Sequence, residues 1–135
     1  MKKVITFGTF DVFHIGHLFL LKRAKQLGSQ LIVGISSDTL NLKKKNKHPI
    51  YCQDERLAII RSLKCVDEVF IEESLEMKRN YLINNKADIL VMGDDWTGKF
   101  DEFNDICRVI YLERTPSIST TSIIEVIKMK KISFL

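Results

Sequence analysis

His14 and His17 stand three residues apart with Gly16 between them, in the run Phe7-Gly8-Thr9-Phe10-Asp11-Val12-Phe13-His14-Ile15-Gly16-His17. Imidazoles aimed at one phosphate donate hydrogen bonds to charge that develops there in a transition state. If a helix starts near His14, both rings share a face, because residues three apart are neighbours on a helix. Gly8 leaves room for a phosphate or nucleotide to approach the backbone, and Gly16 keeps the helix start uncluttered. A lone histidine is usually an inert surface or core residue. Here two histidines, two glycines and a threonine fall in one corner, and that makes the inert reading the weaker one.

Two more groups have chemistry-bearing residue types. Arg114-Thr115-Pro116-Ser117-Ile118-Ser119-Thr120-Thr121 sets a guanidinium before a turn and hydroxyls at a helix start. Free N–H groups, hydroxyls and a guanidinium fork make a second phosphate site. Alone it would read as an ordinary N-cap cluster; beside the histidine corner it reads as phosphate binding. The basic run Lys43-Lys44-Lys45-Asn46-Lys47-His48 is either a solvated charge run, the usual case, or a flexible clamp over a triphosphate and an acceptor phosphate. Trp96, the single tryptophan, is either packing or a pocket edge.

These residues need a scaffold, and the chain alternates. Lys2–Thr6 reads as a buried strand, and the stretch to Leu27 as a helix with Leu20, Leu21, Ala24 and Leu27 on one face, with Gly28 as its C-cap. Gln30–Ser36 is a near-continuous apolar strand, as expected when both sheet faces are covered. Asn41–Pro49 reads as a mobile polar loop. Helix 54–63 has acids in its first turn; strand 66–71, a helix around 76–85, strand 89–92, a short helix at 100–105 and strand 108–112 follow. Ser119-Thr120-Thr121 caps an apolar helix running to Ile127. This alternation predicts an α/β fold with a doubly wound parallel five-stranded sheet, and the histidine corner falls where such sheets bind ligands.

The chain's 135 residues suit one domain, expected over 1–128 with a tail at 129–135, and should bury roughly two-thirds of the unfolded surface. No apolar run approaches the ~20 residues of a membrane span, and the start lacks a signal-peptide pattern. Cys52, Cys65 and Cys107 show no zinc or disulfide spacing, which points to reduced thiols in a cytoplasm. The net charge of +4 suits a polyanionic ligand. No aromatic-and-basic stripe points to nucleic acid.

Gly-x-Phe-Asp-x-x-His-x-Gly-His resembles the nucleotidyltransferase superfamily with the HxGH signature, which implies a Rossmann-like fold. Class I aminoacyl-tRNA synthetases share His-Ile-Gly-His, but this chain has no room for a tRNA-reading module. Arg-Thr-x-x-Ile-Ser-Thr-Thr at 114–121, Val-Met-Gly-Asp-Asp-Trp at 91–96 and Val-Asp-Glu-Val at 66–69 together resemble the glycerol-3-phosphate cytidylyltransferase family, from Met1 to about Ile127. The resemblance implies CTP as donor, Mg2+, a CDP-linked product and a homodimer. It places nucleotide contacts at Thr9, Phe10, His14, Gly16, His17, Arg114, Thr115, Ser119, Thr120 and Thr121, with Asp11 and Asp94 near the metal or nucleotide and Asp11 the candidate metal ligand. It places two loop lysines, one at Lys44 and the other at Lys45 or Lys47. On the acceptor side it places Lys44, Lys64 and Lys78. Lys64 stands where the family resembles arginine, keeping the charge without the bidentate fork, and Leu75 stands where it tends to have tryptophan. The acceptor is glycerol 3-phosphate or a related precursor such as L-glutamine phosphate.

The expected reaction is in-line transfer without a general base. His14 and His17 stabilise the pentavalent phosphorus, Arg114 and Mg2+ hold the outer phosphates, and Lys44 orients the acceptor. The alternatives are an ATP-dependent adenylyltransferase of the same superfamily and a non-catalytic nucleotide-binding module.

Overall fold

Five apolar runs become five parallel strands: β1 (Lys3–Gly8), β2 (Gln30–Ser36), β3 (Glu68–Glu72), β4 (Ile89–Gly93) and β5 (Arg108–Leu112). They form one sheet in the order β3-β2-β1-β4-β5 in the computed structural model, which describes residues 1–116 and 118–130. Val4 sits between Leu31 and Ile89, which fixes the central register. The chain winds outward from β1 through β2 to β3, then crosses to β4 and β5. The reversal leaves a crevice at the carboxyl ends of β1 and β4, where open α/β sheets take their ligands.

Alternation along each strand feeds two cores. Val4, Leu31, Val33, Ile35, Ile89 and Val91 meet Leu21, Ala24 and Ile60 on one face. Ile5, Phe7, Ile32, Leu90 and Met92 meet Leu82 and Phe103 on the other. Each fully buried Leu or Ile contributes about 1.5–3 kcal/mol. The helices that cover these faces are α1 (Ile15–Lys25) and α3 (Gln53–Arg61) on the first, and α4 (Lys78–Asn84) with the 3-10 turn Asp101–Asp105 on the second. The doubly wound α/β arrangement is therefore present as the sequence predicts. A second 3-10 turn, Asp94–Trp96, follows β4, and α5 (Thr120–Lys130) closes the described chain. Of the expected tail, 131–135 lies outside the described residues, as does Ser117. Among the described residues no helix is long and apolar enough to cross a membrane.

Two local expectations are corrected. The polar stretch after β2 is not all loop, because α2 (Asp38–Lys45) occupies most of it. Ser37 Oγ accepts from Leu40 N, Asp38 sits in the first turn, and Lys43, Lys44 and Lys45 sit in the last, where cations favour a helix end. Asn46, at φ 56°, ends the helix in the left-handed region. Gly28 is not the C-cap of α1. That cap is Gln26, in right-handed conformation, and Gly28 makes room for the Lys2 carbonyl oxygen, 2.6 Å from where a Cβ would stand.

Candidate active site

His14 is the N-cap of α1, with extended backbone. Its Nδ1 accepts from Gly16 N at 3.0 Å, while His17 Nδ1 accepts from His14 N at 3.2 Å. This is a capping box built from two imidazoles instead of Ser and Glu. The rings stack with centroids 3.7 Å apart. Because both Nδ1 atoms accept backbone N–H groups, each neutral ring has its proton on Nε2, leaving that nitrogen as a donor. A Cβ on Gly16 would stand 2.9 Å from His14 Cε1 and 3.1 Å from Ile118 Cγ2, so only glycine fits beneath the stack. Burial, then the Arg114 guanidinium, lowers the His14 pKa. Burial, then His14, then Arg114, pushes the His17 pKa down to about 3.

The loop from β1 to α1 is strained and held from several sides. Phe10 (φ 53°) and Val12 (φ 47°) lie in the left-handed region, which is rare for a bulky or β-branched residue. Arg56, fully buried on α3, donates from Nη1 to Thr9 O and Ser36 O, from Nε to Tyr51 O and from Nη2 to Asp38 Oδ1. Asp11 Oδ2 accepts from Ile50 N at 2.7 Å, and Oδ1 from Tyr51 N and Val12 N. Thr120 Oγ1 donates to Asp11 O at 2.8 Å, which ties α5 to the same loop. Thr9 Oγ1 joins Ser36 Oγ and Asn41 Oδ1, each at 3.0 Å. Gly8 serves this packing, since a Cβ there would stand 2.8 Å from the Phe10 ring, and it also lines the crevice at the carboxyl ends of the strands.

A cavity of about 880 Å³ opens at the carboxyl ends of the strands and brings most of the predicted residues together. Thr9, Phe10, Asp11, His14, Gly16 and His17 reach it after β1, and Lys44, Lys45 and Lys47 after β2. Lys78 reaches it after β3, Trp96 after β4, and Arg114, Ser119, Thr120 and Thr121 after β5. Lys45 Nζ lies 3.4 Å from Thr9 Oγ1. Burial, then each one's neighbouring lysine, lowers the pKa of both Lys44 and Lys45. Ser119 Oγ accepts from Ser122 N while Ser122 Oγ accepts from Ser119 N, so Ser119 caps α5 as expected.

Three predicted residues lie elsewhere. Lys64 is on the connection that enters β3, away from the cavity lining, because a parallel sheet puts that connection at the opposite end. Asp94 also falls outside the lining: its carbonyl accepts from Thr97, and Asp95 faces the cavity instead, 3.6 Å from Arg114. Thr115 lines a separate cleft of about 380 Å³ with Phe19, Lys22 and Arg23. Trp96 is at the pocket edge, with ring centroid 5.6 Å from Phe100.

The sequence reading missed Arg56, Glu72, Asp95 and Asn41. Glu72 and Lys78 are both almost fully buried, with Lys78 Nζ 2.7 Å from Glu72 Oε2 and 4.0 Å from the Phe7 ring centroid. The sequence signal for Glu72 was its position at the carboxyl end of a strand, where a charge has no place in an ordinary core.

The donor set does not fit a resident metal ion. Both Asp11 oxygens are taken by backbone N–H groups, Asp95 faces Arg114 and Asp94 lies outside the lining. Among the described residues no group of three or more His, Cys, Asp or Glu side chains could hold a metal. Asp11, the expected metal ligand, anchors the loop through three backbone N–H groups, and no second and third metal-binding side chains stand with it among the described residues.

Comparison with known proteins places this geometry. A protein-family model described as cytidylyltransferase-like matches residues 5–126. The chain is 51% identical over 125 residues to glycerol-3-phosphate cytidylyltransferase of Bacillus subtilis, covering 93% of this chain and 96% of that protein. It is 44% identical over 123 residues to the Staphylococcus aureus protein of the same name, covering 91% and 92%. Among solved structures, a lipopolysaccharide core biosynthesis protein from Thermoplasma volcanium superposes with a TM-score of 0.72 at 28% identity, over 85% of this chain and 98% of that one. With the HxGH corner and the Ser119–Thr121 turn facing one cavity, and a family match across nearly its whole length, the chain belongs to the cytidylyltransferase-like family.

Proposed function

We propose that this protein transfers the cytidylyl group of CTP to glycerol 3-phosphate, giving CDP-glycerol and pyrophosphate. The observation that carries the reading is the shared cavity: the imidazole pair and the Arg114–Thr121 turn, about a hundred residues apart in sequence, line one space. The names and identities of the relatives support CTP as donor and glycerol 3-phosphate as acceptor.

An acceptor phosphate oxygen attacks the α-phosphorus. The bond from that phosphorus to the bridging oxygen breaks, and pyrophosphate leaves with the electron pair. The attacking oxygen is already ionised at neutral pH, so positioning and charge neutralisation do the work. His14 and His17 donate Nε2–H to oxygens that gain charge, and being neutral they do so without taking up a proton. Arg114, beside the N-terminus of α5, holds the outer phosphates, since both a guanidinium and free N–H groups favour them. Lys44 meets the acceptor phosphate, while Lys45 and Lys47 flank the triphosphate. Magnesium would supply charge neutralisation as the counter-ion of the triphosphate, beside the charge that Arg114, Lys45 and Lys47 contribute. The enzyme works as a homodimer in the cytoplasm.

The test is pyrophosphate release with purified protein and magnesium, comparing CTP with ATP against glycerol 3-phosphate, L-glutamine phosphate and no acceptor. CTP-dependent release that requires glycerol 3-phosphate is the expected result. Release with ATP but not CTP would replace this reading with the adenylyltransferase one. Sedimentation of the same sample at the mass of a monomer would remove the homodimer.

A further inference from the structure

At the end of β3 the cavity wall contains a carboxylate that the transfer chemistry does not use. Glu72 is 1% exposed, yet it lines the cavity. Lys78 Nζ, 2.7 Å from Oε2, is its ion-pair partner, and no further donor reaches that oxygen among the described residues. A buried carboxylate ordinarily accepts several hydrogen bonds, since its two oxygens offer about four lone-pair sites. With Lys78 as its partner, the Glu72 carboxylate still has lone pairs turned to the cavity that a ligand's donors can fill.

We infer that Glu72 reads the acceptor's hydroxyl groups: with the acceptor phosphate on Lys44, the Glu72 carboxylate takes hydrogen bonds from the polyol carbons beyond it. The inference rests on the proposed transfer to glycerol 3-phosphate and adds the group that selects it. Charge decides which donor fits. Lys78 already fills the cation position beside Glu72, 2.7 Å from its Oε2, while Lys44 is matched by the acceptor phosphate. A second cation, such as the ammonium of phosphocholine, would have to share Glu72 with the Lys78 ammonium and be repelled by it. A neutral hydroxyl meets none and satisfies the carboxylate. The nearby Phe7 and Phe100 rings, 4.0 and 5.2 Å from Lys78 Nζ, already hold that ammonium by cation–π contact, so Lys78 need not swing away to admit the ligand.

The experiment compares kcat/KM for glycerol 3-phosphate with that for n-propyl phosphate, which has the same carbon skeleton without hydroxyls, at saturating CTP. The full chain should prefer glycerol 3-phosphate by about 10- to 100-fold, the scale of a hydrogen bond to a charged group. Glu72→Gln should shrink that ratio several-fold, and Glu72→Met, which removes the acceptor atom altogether, should bring it near one. The KM for CTP should stay the same in both. If Glu72 only positioned Lys78, both acceptors would lose rate together and the ratio would hold; that result overturns the inference. If Glu72→Met does not fold, the ratio in Glu72→Gln decides. Wild-type turnover with no preference for glycerol 3-phosphate, or with phosphocholine favoured, overturns the inference while leaving cytidylyl transfer standing. Absence of CTP turnover with every acceptor overturns both.

Discussion

Desolvation presses hardest on His17, followed by the repulsion of His14 and then Arg114, so the ring stays neutral in the free protein down to about pH 3. An NMR titration of the imidazole Hε1 signals should find His17 silent between pH 8 and pH 5; a midpoint at the ordinary histidine value of about 6.5 would contradict the buried geometry. The sign for stability follows. The folded pKa is below the unfolded one, so between them the unfolded chain binds more protons, and stability is lost as pH falls from about 6.5 towards 3. Denaturant midpoints should therefore drop across that window, and His17→Gln should flatten the drop. Replacing His14 or His17 by alanine should lower kcat on the order of 10²-fold, the scale of a lost transition-state donor, measured by pyrophosphate release. The two histidines were legible in the sequence because their spacing with Gly16 is chemically unusual. Glu72 and Arg56 were not. A buried ion is recognisable only by its partners, and those of Arg56 are at positions 9, 36, 38 and 51.

Between elements, Arg56 does the joining. It ties the β1–α1 loop, the end of β2, the start of α2 and the stretch before α3 into one block. Gln53 and Asp38 add to this by exchanging hydrogen bonds across the starts of α3 and α2. Arg56→Met should leave Asp38 and three backbone carbonyls, one of them fully buried, without their donor and cost about 3 kcal/mol, seen as a fall in the denaturant midpoint. Gly16→Ala should force the His14 ring aside and reduce kcat more than it raises the KM for CTP, because the stacked pair acts on the transition state. The strands were legible from short apolar runs. Helix α2 was hidden because its lysines suggested a solvated loop, while its stabilising contacts, the Ser37 cap and buried Leu40 and Asn41, come from a few residues at its start. Lys64 went astray for a topological reason: a residue's end of the sheet is not written in its local sequence.

Over the whole molecule, six Lys and Arg side chains face four carboxylates in the cavity, within a chain of net charge +4. Attraction of a triphosphate is thus partly long-range and open to screening. Raising KCl from about 0.05 to about 0.5 M should increase the KM for CTP by about three- to ten-fold, while kcat changes little. The parallel sheet itself was legible from the alternation of strand and helix, since few other topologies bury continuous apolar strands on both faces. Its order has a further consequence. Glu72 and Lys78 hang from β3 at one margin of the sheet, whereas the imidazole pair hangs from β1 at the centre and Arg114 from β5 at the opposite margin. Donor chemistry and acceptor choice are thereby mounted on different supports, and grafting another β3–α4 segment would retarget the enzyme to a new alcohol phosphate while its grip on CTP stayed intact.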